Sequence, residues 1–153
     1  MNVIAMLIGF IALIALIDGV LGWAGHLFNP DLHLSLNWIF GKAFTPFAWA
    51  MGVPAQDVNS VATLLGQKLT VNEFVAFKSL TDKTVPVITE KGLLITSFAI
   101  CGFANFSSVG MQIGGIGELA PSRRADLARL GLKALLCGTL ASYLSATIAG
   151  ILM

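Results

Sequence analysis

Charge is scarce in this chain. Only 11% of its 153 residues are Asp, Glu, Lys or Arg, against about a quarter in soluble domains, and the mean hydropathy is +0.85. A soluble globular domain is excluded, and the chain reads as an all-α membrane protein. Nine basic and eight acidic residues nearly cancel, so no basic patch for nucleic acid is present in the total. Cysteine is equally sparse: Cys101 and Cys137 have no His or Cys at metal-ligand spacing, which excludes a disulfide framework or zinc site. Both are expected as buried, inert thiols. The two histidines, His26 and His33, are solvated or interfacial in this reading, and no Ser, His and acid set can be assembled. An enzyme is not expected. The N-terminus lacks the small-residue cleavage site and flanking charge of a secretory signal, so its apolar run is taken as a retained membrane helix.

What is present is long apolar sequence. No charge falls between Val3 and Ile17, and apolar character resumes after Asp18 through Phe28, predicting a spanning helix over 1–28. Asp18 is expected to reach headgroup water or a backbone partner. Asn29-Pro30-Asp31 ends the helix by turn chemistry. Residues 34–51 carry Trp38, Phe40, Phe44, Phe47 and Trp49 with Lys42 and Pro46, a mixture typical of the membrane boundary; an interfacial helix is predicted, with a buried aromatic stripe as the alternative. A last spanning helix is expected over 130–153, after a loop carrying Pro121, Arg123, Arg124 and Arg129. With Lys133, this basic cluster places the loop in the cytoplasm by the positive-inside rule, and the chain's start with it.

Two polar segments interrupt the apolar sequence. Over 55–80, apolar pieces too short to span flank Gly66-Gln67-Lys68-Leu69-Thr70-Val71-Asn72-Glu73, which predicts a re-entrant hairpin opening outward. Asn72 is suited to cap its second arm, and Glu73 sits in that arm's first turn, where the helix dipole favours negative charge. An exposed polar turn between interfacial helices is the competing reading. Over 92–117 no charge occurs, yet Asn105, Ser107 and Ser108 follow Gly102 mid-segment. A discontinuous helix is predicted there, and Gly110 and Gly114 suit close helix packing. Polar groups at membrane depth must face protein, ligand or water, so binding is the default hypothesis for both segments.

The segments from Lys68 to Phe77 and from Cys101 to Gly110, followed by Gly114-Gly115-Ile116-Gly117 and the run from Ala120 to Arg129, resemble the concentrative nucleoside transporters. The resemblance runs over essentially the whole chain and covers the C-terminal part of the family's pattern. It implies a multi-pass symporter of the bacterial inner membrane, driving nucleosides inward with a Na+ or H+ gradient and assembled as a homotrimer. It also implies a substrate site in which Glu73, Asn105 and Ser108 meet the ribose and Phe103 lies against the nucleoside. The residue types suit a sugar, since ribose hydroxyls donate to a carboxylate, Asn and Ser both donate and accept, and charge-assisted bonds are the strongest of the set.

The family pattern consists of two inverted repeats around a shared site, and this chain matches one. The hairpin that reads the base, its broken helix and the coupling-cation site are therefore expected in a missing N-terminal half, so no metal ligand is assigned here. On this reading the start resembles an internal position of a longer protein, and transport requires that half. The alternatives are a truncated, non-transporting remnant and a membrane scaffold using small-residue helix faces.

Overall fold

The structure is a computed structural model describing residues 2–28, 34–82, 84–87 and 89–153. The turn expected at Asn29-Pro30-Asp31 and His33 lie outside the described residues. Among those described there are seven α-helices, α1 (Asn2–Phe28), α2 (Leu36–Ala50), α3 (Val58–Thr70), α4 (Glu73–Thr81), α5 (Glu90–Ile100), α6 (Phe106–Leu119) and α7 (Arg124–Leu152), with a 3-10 turn at Pro121–Arg123 and no strand.

Among the described residues, α1 and α7 are the two helices long and apolar enough to cross a membrane. At 27 and 29 residues they extend roughly 40 Å, more than the ~30 Å of hydrocarbon. Much of the apolar surface of both stays exposed, including Leu16, Trp23, Leu136 and Leu144, as expected of surfaces facing lipid or another protein segment. Asp18 does find a backbone partner: its Oδ1 accepts from Leu36 N at 2.6 Å. Ser35 caps the same helix start by accepting from Trp38 N at 3.0 Å, so α2 begins with two oxygens on its free amides.

α3 is the centre of the fold. Val61, Leu64 and Leu65 are fully buried, with α2 and α4 beside α3 in sequence and α5 and α6 packed on it from farther along the chain. Its contact with α2 is backbone to backbone, since a Cβ on Gly66 would lie 3.0 Å from Gly41 N and 3.2 Å from Asn37 O. α2 buries Gly41, Phe44 and Ala48 and leaves Trp38, Phe47 and Trp49 exposed. Phe44 meets Tyr143 of α7 edge-on at 6.1 Å, an arrangement the ring quadrupoles favour. Gly110 and Gly114 are buried on α6.

Asp57, at the start of α3, is fully buried and accepts from Thr89 N at 3.0 Å and from Thr89 Oγ1. Thr89 in turn caps α5 by accepting from Gly92 N at 2.9 Å. One carboxylate thus ties the first turns of α3 and α5 together.

Two local expectations are corrected. Cys101 and Cys137 are exposed on this chain, not buried. Cys101 stands at the end of α5, and Cys137 lies across the helix from the buried line Leu135, Thr139, Tyr143, Ala146; apolar sequence in such a chain does not separate an inner face from an outer one. The helical part of the hairpin's first arm extends through Gly66 to Thr70, the last turns of α3. Finally, α7 starts at Arg124, so Arg124 and Arg129, expected in the preceding loop, ride on the same helix as Lys133. Asp126 sits in its first turn, 2.7 Å from Arg123 Nε and 3.5 Å from Arg129 Nη2, a placement the helix dipole favours.

Candidate functional site

α3 and α4 form a helical hairpin that turns at Val71 and Asn72. Asn72 is the N-cap of α4, its Oδ1 accepting from Val75 N at 2.9 Å, and Glu73 is the first residue of that helix. α5 and α6 follow one another in the chain, parted at residues 101–105. Gly102 makes this crossing possible, because a Cβ there would run into the Ser142 side chain of α7.

The two interruptions meet. Asn105, fully buried, donates from Nδ2 to Glu73 Oε2 at 2.7 Å. Its orientation is forced by its other bonds: Oδ1 accepts from Ser108 N at 2.7 Å, which caps α6, and lies 2.7 Å from Ser107 Oγ. Ser107 Oγ also stands 3.1 Å from Val71 O at the hairpin turn, so its single proton can serve either acceptor. The N-termini of α4 and α6 are therefore adjacent, with a half-buried carboxylate between their free amides, where helix dipoles favour negative charge. Among the described residues no other hydrogen bond is made by the Glu73 side chain, which leaves one carboxylate oxygen and one Asn105 N–H without a hydrogen-bond partner.

Ser108 is brought beside Asn105 but its hydroxyl is turned inward. Oγ donates to Asn105 O at 2.7 Å and stands 3.3 Å from Asn105 N, completing a capping box. It remains an acceptor and a structural cap. Phe103 is not joined to this cluster by a hydrogen bond or ring contact; it is 62% exposed and, with Ser108, Gln112 and Leu135, lines a cleft of about 250 Å³ between α6 and α7.

Two further residues of the first polar segment are buried, which the sequence does not specify. Thr70 is buried, its Oγ1 2.8 Å from both Gly66 O and Asn37 Oδ1, which fixes the end of α3 against α2. Lys68 is fully buried and donates from Nζ to Ala99 O at 3.4 Å. The sequence places both near the hairpin tip, but bonds to residues 31 or 33 positions away have no local signature.

A family model described as "Na+ dependent nucleoside transporter C-terminus" matches residues 1–150. The chain is 49% identical over 150 residues to the "Uncharacterized transporter YutK" of Bacillus subtilis, a match covering 98% of this chain and 37% of that protein. It is 41% identical over 155 residues to the "Nucleoside permease NupC" of Helicobacter pylori, covering 99% and 37%. Among solved structures it resembles a CNTnw variant in an outward-facing state, at TM-score 0.90 and 39% identity over 99% of this chain and 38% of that one. It also resembles CNTnw in an inward-facing substrate-bound state, at TM-score 0.76 and 42% identity over 95% and 36%. The chain spans little more than a third of the length of these relatives.

Proposed function

Because this chain belongs to the family of Na+ dependent nucleoside transporters, matching its C-terminal region, we propose that it forms one side of a nucleoside site in a cation symporter. It is a transporter segment, not an enzyme. The observation that carries the reading is the Asn105–Glu73 hydrogen bond at the junction of two helix N-termini. There the free Glu73 oxygen accepts from a ribose hydroxyl and the second Asn105 N–H donates to one. Ser108 offers its acceptor lone pair, and Phe103 supplies apolar area against the nucleoside.

In the same reading α3 and α4 enter and leave the membrane on one side as a re-entrant hairpin, α2 lies at the interface, and α5 and α6 cross as one broken span. Helices of 13, 9, 11 and 14 residues in α3 to α6 support this, since each is shorter than the ~20 residues a span needs. The Arg123 to Lys133 cluster faces the cytoplasm of a bacterial inner membrane. The coupling cation, Na+ or H+, and the groups that read the base belong to an N-terminal half, and the complete protein assembles as a homotrimer. The family description names Na+, which favours sodium.

The test is uptake of labelled nucleoside into proteoliposomes holding a complete transporter with this chain as its C-terminal region. Saturable uptake driven by an inward Na+ or H+ gradient and lost in Glu73→Gln is expected; gradient-independent flux, or Glu73→Gln uptake equal to wild type, overturns the proposal.

A further inference from the structure

We propose that Lys68 is a positioning residue for the substrate site, holding the break between α5 and α6 so that Asn105 meets Glu73. The inference rests on the nucleoside-site reading above and adds a residue that reading does not use.

Lys68 is the largest fully buried side chain among the described residues, with no carboxylate within ion-pairing distance. Its Nζ has one long hydrogen bond, 3.4 Å to Ala99 O, and lies 5.9 Å from the centre of the Tyr143 ring. Burial opposes the ammonium, and Glu73, acting from beyond ion-pair distance, is the main group that favours its charge; a methionine of similar shape would serve packing alone without the desolvation cost. The location supplies the reason for the charge. Ala99 lies in the last turn of α5, where carbonyls have no amide one turn on to bond and the helix dipole is negative.

The hairpin therefore presents opposite charges to the two half-helix ends at the break. Lys68, in the last turns of α3, faces the negative end of α5, and Glu73, opening α4, faces the positive end of α6 through Asn105. Between them the chain passes tightly: a Cβ on Gly102 would stand 3.6 Å from Lys68 Nζ and press on Ser142. If the ammonium is removed, the Ala99 carbonyl loses its partner beside the crossing that carries Asn105. The bond to Glu73 then loses its alignment, although neither of its partners has changed.

The experiment measures concentration dependence of nucleoside uptake by a complete transporter carrying this chain, with Lys68→Met, Lys68→Gln and, as the site control, Glu73→Gln. Lys68→Met is expected to raise KM about tenfold with the maximal rate per transporter little changed. Lys68→Gln, which keeps an N–H for Ala99 O but no charge, is expected to raise it less. A merely structural lysine would lower the amount of transporter in the membrane and leave KM alone. Wild-type KM in Lys68→Met beside a raised KM in Glu73→Gln overturns the role of Lys68 only, and wild-type KM in Glu73→Gln overturns the site reading itself. If Lys68→Met does not accumulate, Lys68→Gln decides by the same criterion; failure of both to accumulate shows a folding role and overturns the proposal.

Discussion

Asn105 donates to Glu73 across 2.7 Å, although the two residues stand 32 positions apart and each begins a helix. The same Asn105 side chain caps α6 through Ser108 N. A local structural role and a long-range polar contact thus share one amide. Any ligand bonded to Glu73 at this point also feels how α6 is held.

Replacing Glu73 by Gln keeps the shape and removes the charge, so it isolates the electrostatic part of ligand binding. A hydrogen bond to a charged group contributes about 1.5–3 kcal/mol, which corresponds to roughly a 10- to 150-fold weaker affinity. Glu73→Gln is expected to show that loss in nucleoside KM or Kd, with normal membrane insertion and a modestly lower melting temperature, since the Asn105 bond and the helix N-termini also lose their negative partner. Affinity equal to wild type counts against Glu73 as a ligand group.

The two roles of Asn105 are separable by Asn105→Ser and Asn105→Ala. Serine can still cap α6, being a preferred N-cap residue, but is too short to reach Glu73; alanine can do neither. Loss of an N-cap costs about 1 kcal/mol, so the melting temperature of Asn105→Ala is expected to fall below that of Asn105→Ser. Nucleoside binding is expected to weaken in both. Equal melting temperatures would show that the capping bond carries no stability.

The parts of this site that were legible in the sequence are those made by local chemistry. Asn72 before Glu73, and Asn105 with two serines after Gly102, are polar groups stranded in apolar sequence, and capping is decided within three or four residues. Lys68 was not legible as a buried cation, because its burial is made by α5 and by Tyr143 of α7. The inward turn of the Ser108 hydroxyl depends on a rotamer that composition does not encode. The exposure of Cys101 and Cys137 follows the same rule, since an apolar neighbourhood along the chain says nothing about which face a helix presents.

Asp57 gives a stability prediction remote from the proposed site. Asp57→Ala would leave Thr89 N, a part-buried donor at the start of α5, without its 3.0 Å acceptor, at a cost of about 1 kcal/mol. Asp57→Asn keeps an acceptor oxygen and is expected to lose less. Thermal unfolding in detergent checks the order wild type, Asn, Ala; an alanine variant as stable as wild type would show that the tie between α3 and α5 is dispensable.

Membrane orientation can be read by labelling, but only after the native thiols are removed, because both cysteines are exposed. In a Cys101→Ser, Cys137→Ser background, Arg123→Cys is expected to react with impermeant reagents only from the cytoplasmic side. Thr84→Cys, beyond the open end of the hairpin, is expected to react only from outside. The basis is the cluster of Arg123, Arg124, Arg129 and Lys133. Labelling in the opposite sense would invert the proposed orientation.

Expressed as these 153 residues alone, the chain is expected to enter membranes and show no saturable nucleoside uptake. Insertion follows from α1 and α7, each long and apolar enough to span. Transport is a different demand, because alternating access in inverted-repeat transporters moves one unit against another around a shared site. The chain covers 37% of the relatives it matches and supplies Glu73 and Asn105 from one side of the proposed site. A ribose held there would keep its other face in water, and hydrogen bonds weaken where the local dielectric is high. Co-expression with the N-terminal region of a relative is therefore expected to restore gradient-driven uptake once the two associate. Robust uptake by the 153 residues alone would show instead that copies of this chain complete the site for one another.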